Sequence, residues 1–144
     1  MKQQIQIRSD LTRLGEVRRF VRQFCAKIPG ASLDQDEVGA LELAVTEAAS
    51  NIMRHAYHGN QDQSIQVEAE ALPGRVRLRL RHQGDSFDPS TAALPMLDGS
   101  RESGYGVFMI AQSVDDVRYY SDDLGTNCIE LTKTVKSHRG ETEH

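Results

Sequence analysis

DQDEVGALELAVTEAASNIMRHAY, residues 34–57, is the longest stretch of the chain with an unbroken helical period. Val38, Leu41, Val45, Ala48, Ala49, Ile52, Met53 and Ala56 recur at three- and four-residue steps, which places them on one face of a helix that must be buried. Ser32 or Asp34 can cap its start, and His58-Gly59-Asn60 stops it. The spacing predicts one continuous helix over 33–57.

A second amphipathic helix precedes it over residues 11–28, opened by Ser9 or Asp10. Its stripe is Leu11, Leu14, Val17, Val21, Phe24 and Ile28, and Pro29-Gly30 ends it. Outside the two helices the period changes from 3.6 to 2. Gln4–Arg8 alternates through Ile5 and Ile7. Ser64–Ala71 alternates through Ile65, Val67, Ala69 and Ala71. Val76–Leu80 follows Pro73-Gly74 and completes an antiparallel hairpin. Residues 83–103 lose all periodicity, and a loop that long is usually a lid, a binding loop or disordered. Gly104–Ser113 turns helical again, and Val117–Tyr120 and Asn127–Val135 complete the sheet around a turn at Asp123–Gly125. The order βααββ-loop-αββ predicts an α/β two-layer sandwich with a mostly antiparallel sheet.

At 144 residues the chain fits one domain, residues 1–135, followed by a polar tail over 136–144. A net charge of −4 and a pI near 5.7 argue against nucleic acid, since phosphate backbones need a clustered basic face. Arg75, Arg77, Arg79 and Arg81 alternate with apolar residues and read as the solvated face of a strand. No signal peptide and no apolar run long enough to span a membrane is recognisable. Cys25 and Cys128 lack a metal spacing and read as reduced core thiols in a cytoplasmic protein.

Three segments carry chemistry. Glu47 and Asn51, four residues apart, project from one helix face, with Arg54 a further turn along. A carboxylate beside a carboxamide suits a general base next to a divalent-cation ligand, although Glu-x-x-x-Asn alone is more often a solvent-facing helix surface. His82-Gln83-Gly84-Asp85-Ser86-Phe87-Asp88-Pro89 stands where a strand meets the long loop, and glycine there lets backbone approach a ligand. Ser103-Gly104-Tyr105-Gly106-Val107 opens a helix, whose free N–H groups and dipole would seat a phosphate. It is neither a P-loop nor a Rossmann fingerprint.

In order and spacing these three segments resemble the Bergerat (GHKL) ATP-binding fold shared by gyrases, MutL proteins and histidine kinases. Glu47-Ala48-Ala49-Ser50-Asn51 resembles the N box, Gly84 falls in the G1 box, and Gly104-Tyr105-Gly106 resembles the G2 box. Through "TEAASNIMRHAY", "GDSFDP" and "GYGVFMI", residues 5–135 are most similar to the small anti-sigma-factor serine kinases of bacteria. The resemblance implies ATP and Mg²⁺ as cofactors, with Glu47 as catalytic base and Asn51 as the Mg²⁺ ligand. Asn51, His82, Gly84, Gly104 and Gly106 would line the nucleotide. It implies a sigma factor, or a STAS-domain anti-anti-sigma protein phosphorylated on serine, as partner, and a possible homodimer. No phosphoacceptor helix of the histidine-kinase type is present in the sequence. The chain departs from the family at His82, where the family has an Asp that accepts from the adenine amino group. A neutral imidazole can accept one hydrogen bond but does not reproduce a carboxylate; the loss would cost roughly tenfold to a hundredfold in affinity. Two functions follow: an ATP-dependent protein serine kinase, or a nucleotide-deficient module of the same fold that acts by stoichiometric capture.

Overall fold

The computed structural model describes residues 1–28, 33–83 and 113–135. Five strands form one sheet in the order β1-β2-β3-β5-β4: β1 (Lys2–Arg8), β2 (Ser64–Leu72), β3 (Arg75–His82), β4 (Asp116–Ser121) and β5 (Asn127–Thr134). Every neighbouring pair is antiparallel. Pro73-Gly74 closes the β2–β3 hairpin in two residues, with Gly74 at φ 75°. Proline fixes its own φ near −65° and glycine accepts the positive φ that follows, so this order suits a type II turn.

Among the described residues, two helices cover one face of the sheet. The first departs from the expected continuous helix over 11–28. Asp10 accepts a bond from the Thr12 amide, a 3₁₀ turn runs over Leu11–Arg13, and α1 occupies Leu14–Ala26. Leu11, assigned by its spacing to the buried stripe, is 52% exposed, because the tighter turn rotates it away from Val17, Val21 and Phe24. The second helix, α2, spans Gln35–Asn51 and starts with a reciprocal cap. The Asp34 side chain accepts from the Glu37 amide at 2.7 Å, and the Glu37 side chain accepts from the Asp34 amide at 3.1 Å. It does not continue as one α-helix to 57. Ile52–Ala56 forms a π-helical turn, closed by the Tyr57 N–H donating to the Ile52 carbonyl. Such a turn inserts a residue without altering composition, so periodicity alone does not reveal it.

Val17, Val21 and Phe24 of α1 and Leu41, Val45, Ala48 and Ala49 of α2 are fully buried. They pack against Ile65, Val67 and Ala69 of β2, Leu78 and Leu80 of β3, and Ile129 and Leu131 of β5. The alternation expected of a two-layer sandwich is therefore present. Cys25 and Cys128 are free and buried, and burial pushes the Cys25 thiol up to about 11.

The opposite face of the sheet differs from a simple solvated surface. Glu68, Arg79 and Glu130 are directly opposed across β2, β3 and β5. Arg79 donates to Glu130 at 2.8 Å and to Glu68 at 3.3 Å, Arg81 donates to Glu68 at 3.0 Å, and Arg77 pairs with Glu70. Glu68 is only 3% exposed. Arg77, Arg79 and Arg81 thus neutralise carboxylates that the strand register buries; Arg75 alone of the four is exposed. Removing one member of so buried a pair typically costs about 3–5 kcal/mol, because its partner charge is left uncompensated.

Candidate functional site

Asn51 is the last residue of α2 and Glu47 stands one turn before it. The helix turns Asn51 inward: it is 1% exposed, and neither its Oδ1 nor its Nδ2 has a hydrogen-bond partner among the described residues. That is an expensive arrangement. A buried polar group without a partner costs about 1–3 kcal/mol, and native structures rarely leave one in place without a ligand, a water or a function to account for it. Glu47 is half-buried. The pair is therefore not a solvent-facing helix surface. Arg54, expected one turn along the same face, is exposed and belongs to the π-helical turn.

His82 is the last residue of β3 and follows the alternation of Leu78 and Leu80, so it lies on the helix-facing side of the sheet. It is 2% exposed and its Nδ1 has no partner among the described residues. Burial drives its pKa down to about 4, so the ring is neutral at physiological pH. The α2 end and the β3 end thus each present a buried polar side chain with unmet hydrogen-bonding capacity on the same side of the sheet.

Tyr57, which its position in the sequence marked only as the end of a helix, joins these two ends. Its hydroxyl donates to the Ser64 carbonyl at 2.7 Å and accepts from the Gln83 N–H at 2.8 Å. Its ring meets that of His82 edge-on, with centroids 5.9 Å apart and an interplanar angle of 84°. The π-helical turn delivers Tyr57 to this place, and Gly59, at φ 80°, lets the chain reverse toward β2. No local sequence signal points to this role, because the hydroxyl joins the start of β2, seven residues on, to Gln83 just past the end of β3, 26 residues away. His82 also borders a polar recess of about 390 Å³ with Arg81, Gln83, Asp122 and Thr126. A larger recess of about 560 Å³ lies between α1 and the opposite end of α2, against Arg22, Cys25, Val38 and Glu42.

Gly84, Gly104 and Gly106, the long loop over 83–103 beyond its first residue, the helix expected over 104–113 apart from Ser113, and the tail over 136–144 lie outside the described residues. Among the described residues no group of three His, Cys, Asp or Glu side chains could hold a metal ion. No helix there is long and apolar enough to cross a membrane.

Residues 7–133 match the histidine kinase-like ATPase domain family. The serine-protein kinase RsbW of Staphylococcus aureus is 30% identical over 118 residues, covering 76% of this chain and 73% of that protein. Among solved structures, the RsbU and RsbW domains of a Mycobacterium tuberculosis protein superpose with a TM-score of 0.66 at 21% identity, over 94% of this chain and 32% of that one. The SiaB–SiaC complex of Pseudomonas aeruginosa contains a chain that superposes with a TM-score of 0.58 at 12% identity, over 93% of this chain and 89% of that one. These two likenesses establish the α/β fold with its antiparallel sheet and packed helices.

Proposed function

Because the chain belongs to the histidine kinase-like ATPase domain family, and within it to the RsbW-like serine kinases, we propose that it is an ATP- and Mg²⁺-dependent protein serine kinase of a bacterial partner-switching system. Its protein partners would be a sigma factor and a STAS-domain antagonist phosphorylated on serine, in the cytoplasm. The observation that carries this reading is Asn51: a fully buried carboxamide with no partner among the described residues, one helical turn from Glu47 and on the same side of the sheet as His82.

Asn51 would hold Mg²⁺ through Oδ1, and its unmet hydrogen-bonding capacity fits that task. Bound Mg²⁺-ATP would supply the phosphoryl group and the charge that offsets the phosphate oxygens. Glu47, half-buried at the edge of the same site, would take the proton of the partner's serine hydroxyl as that oxygen accepts the γ-phosphoryl group, the bond to the β-phosphate oxygen breaks and ADP leaves. His82 would face the base, and Gly84, Gly104 and Gly106 would be the backbone that approaches the phosphates.

Calorimetric titration with Mg²⁺-ATP and Mg²⁺-ADP tests the nucleotide site, and phosphoryl transfer to a STAS-domain partner tests the activity. Glu47→Gln keeps the shape but not the basicity, so transfer should fall about 10²–10⁴-fold with nucleotide binding nearly intact. One observation favours a second reading: His82 replaces the family's carboxylate with a neutral ring. Capture of the partner by a protein that binds no nucleotide would establish stoichiometric sequestration and overturn the kinase reading.

A further inference from the structure

His82 ends β3 beside Tyr57, whose hydroxyl holds the backbone N–H of the next residue, Gln83, while its ring packs edge-on against the imidazole. The strand end that carries the ring is thereby pinned. The ring is 2% exposed, and its Nδ1 is buried without a partner among the described residues. The neighbouring charge on the strand, Arg81, lies on the other face of the sheet and is bound to Glu68 at 3.0 Å, so it does not set the polarity here. Burial keeps the imidazole neutral, with its pKa down to about 4.

A carboxylate only accepts hydrogen bonds, so in this place it would select a ligand edge that donates and repel one that presents an oxygen. A neutral imidazole differs in kind: it carries one N–H and one bare nitrogen, and its two tautomers exchange these roles. Resting on the nucleotide reading above, we propose that His82 is a specificity-determining residue that admits 6-oxo as well as 6-amino purine nucleotides. In one tautomer Nδ1 accepts from a 6-amino group; in the other it donates to a 6-oxo group. The change from a charged acceptor to an ambivalent neutral one therefore relaxes base selection.

The test titrates the wild-type protein with Mg²⁺-ATP, Mg²⁺-GTP and Mg²⁺-ITP; inosine carries the 6-oxo group without guanine's 2-amino group. The wild type should bind ATP and ITP with dissociation constants within about fivefold of each other, well under the spread one charged hydrogen bond produces. His82→Asn, whose carboxamide also offers both a donor and an acceptor, should keep that balance. His82→Asp should favour ATP over ITP by roughly 10- to 100-fold. A wild-type preference for ATP over ITP above about tenfold, roughly 1.4 kcal/mol, overturns the inference and leaves the nucleotide site standing. Binding of ATP by His82→Asp but of nothing by the wild type overturns this inference and the kinase reading together, and leaves the capture reading. If folded wild type and folded His82→Asp both bind no nucleotide, the kinase reading falls and this inference with it. Should His82→Asp fail to fold, the comparison of wild type with His82→Asn decides alone.

Discussion

Replacing Asn51 by leucine should make the protein more stable and, on the proposed reading, inactive. Asn51 is 1% exposed and both polar atoms of its carboxamide lack partners among the described residues. A buried amide in that condition costs about 1–3 kcal/mol relative to an apolar group of the same shape. Leucine has nearly the same volume and adds apolar contact, so Asn51→Leu should raise the unfolding free energy by about 1–3 kcal/mol. For a chain of this size about 1 kcal/mol corresponds to roughly 3–4 °C, so Tm should rise by about 3–12 °C. Asn51→Asp provides the opposite sign: an uncompensated buried carboxylate should cost about 3–5 kcal/mol at neutral pH. The assay is thermal unfolding with and without Mg²⁺-ATP. Ligand should raise the wild-type Tm with the logarithm of its concentration above Kd and leave that of Asn51→Leu unmoved. Gain of stability with loss of binding is the signature of a site maintained against the fold's own interest. A loss of about 1 kcal/mol or more in Asn51→Leu would refute the reasoning, because it would mean that the amide is already satisfied in the free protein and serves the core.

Three further outcomes follow from buried polar groups. His82 has an ordinary pKa of 6.5 when unfolded and about 4 when folded, so the unfolded chain takes up a proton first. Stability should be at its full value above pH 6.5 and fall by about 3 kcal/mol in all as the pH drops to 4; urea melts at pH 7.5 and pH 5 should show a pH dependence that His82→Asn reduces. Glu68 behaves in a lower window: burial pushes its pKa up, but the Arg81 hydrogen bond and the charges of Arg81, Lys2 and Arg79 outweigh it and hold the carboxyl below 4.5. Its contribution should be complete above pH 4.5 and be lost as the pH falls through the folded value, and Glu68→Gln should remove this acid-labile part while lowering stability at pH 7. Tyr57→Phe keeps the ring against His82 but strands the Ser64 carbonyl and the Gln83 N–H; it should cost about 1–2 kcal/mol and speed amide exchange at Gln83, and unchanged exchange there would contradict the clamp.

What local chemistry could settle, the sequence by itself determined. Period-2 alternation located β2 and β3, Pro73-Gly74 joined them, and Ser32 or Asp34 marked the start of α2, where the structure selects Asp34, because each of these signals acts over a few neighbouring residues. The four-residue spacing also placed Glu47 and Asn51 on one helix face, and the three motif segments pointed to the family that the chain's relatives share. The rest depends on residues far apart in the chain. Nothing near β5 in sequence says that it pairs between β3 and β4, or that Glu68 and Glu130 will face Arg79 from both sides and turn an arginine row into a buried ionic lattice. The π-helical turn after Asn51 is equally silent, since it changes hydrogen-bond register and not composition. It was the tertiary structure that buried Asn51 without a partner among the described residues, neutralised His82 by desolvation, and brought the Tyr57 hydroxyl between β2 and β3. Burial is a property of what packs on top of a residue, and only the folded chain supplies that.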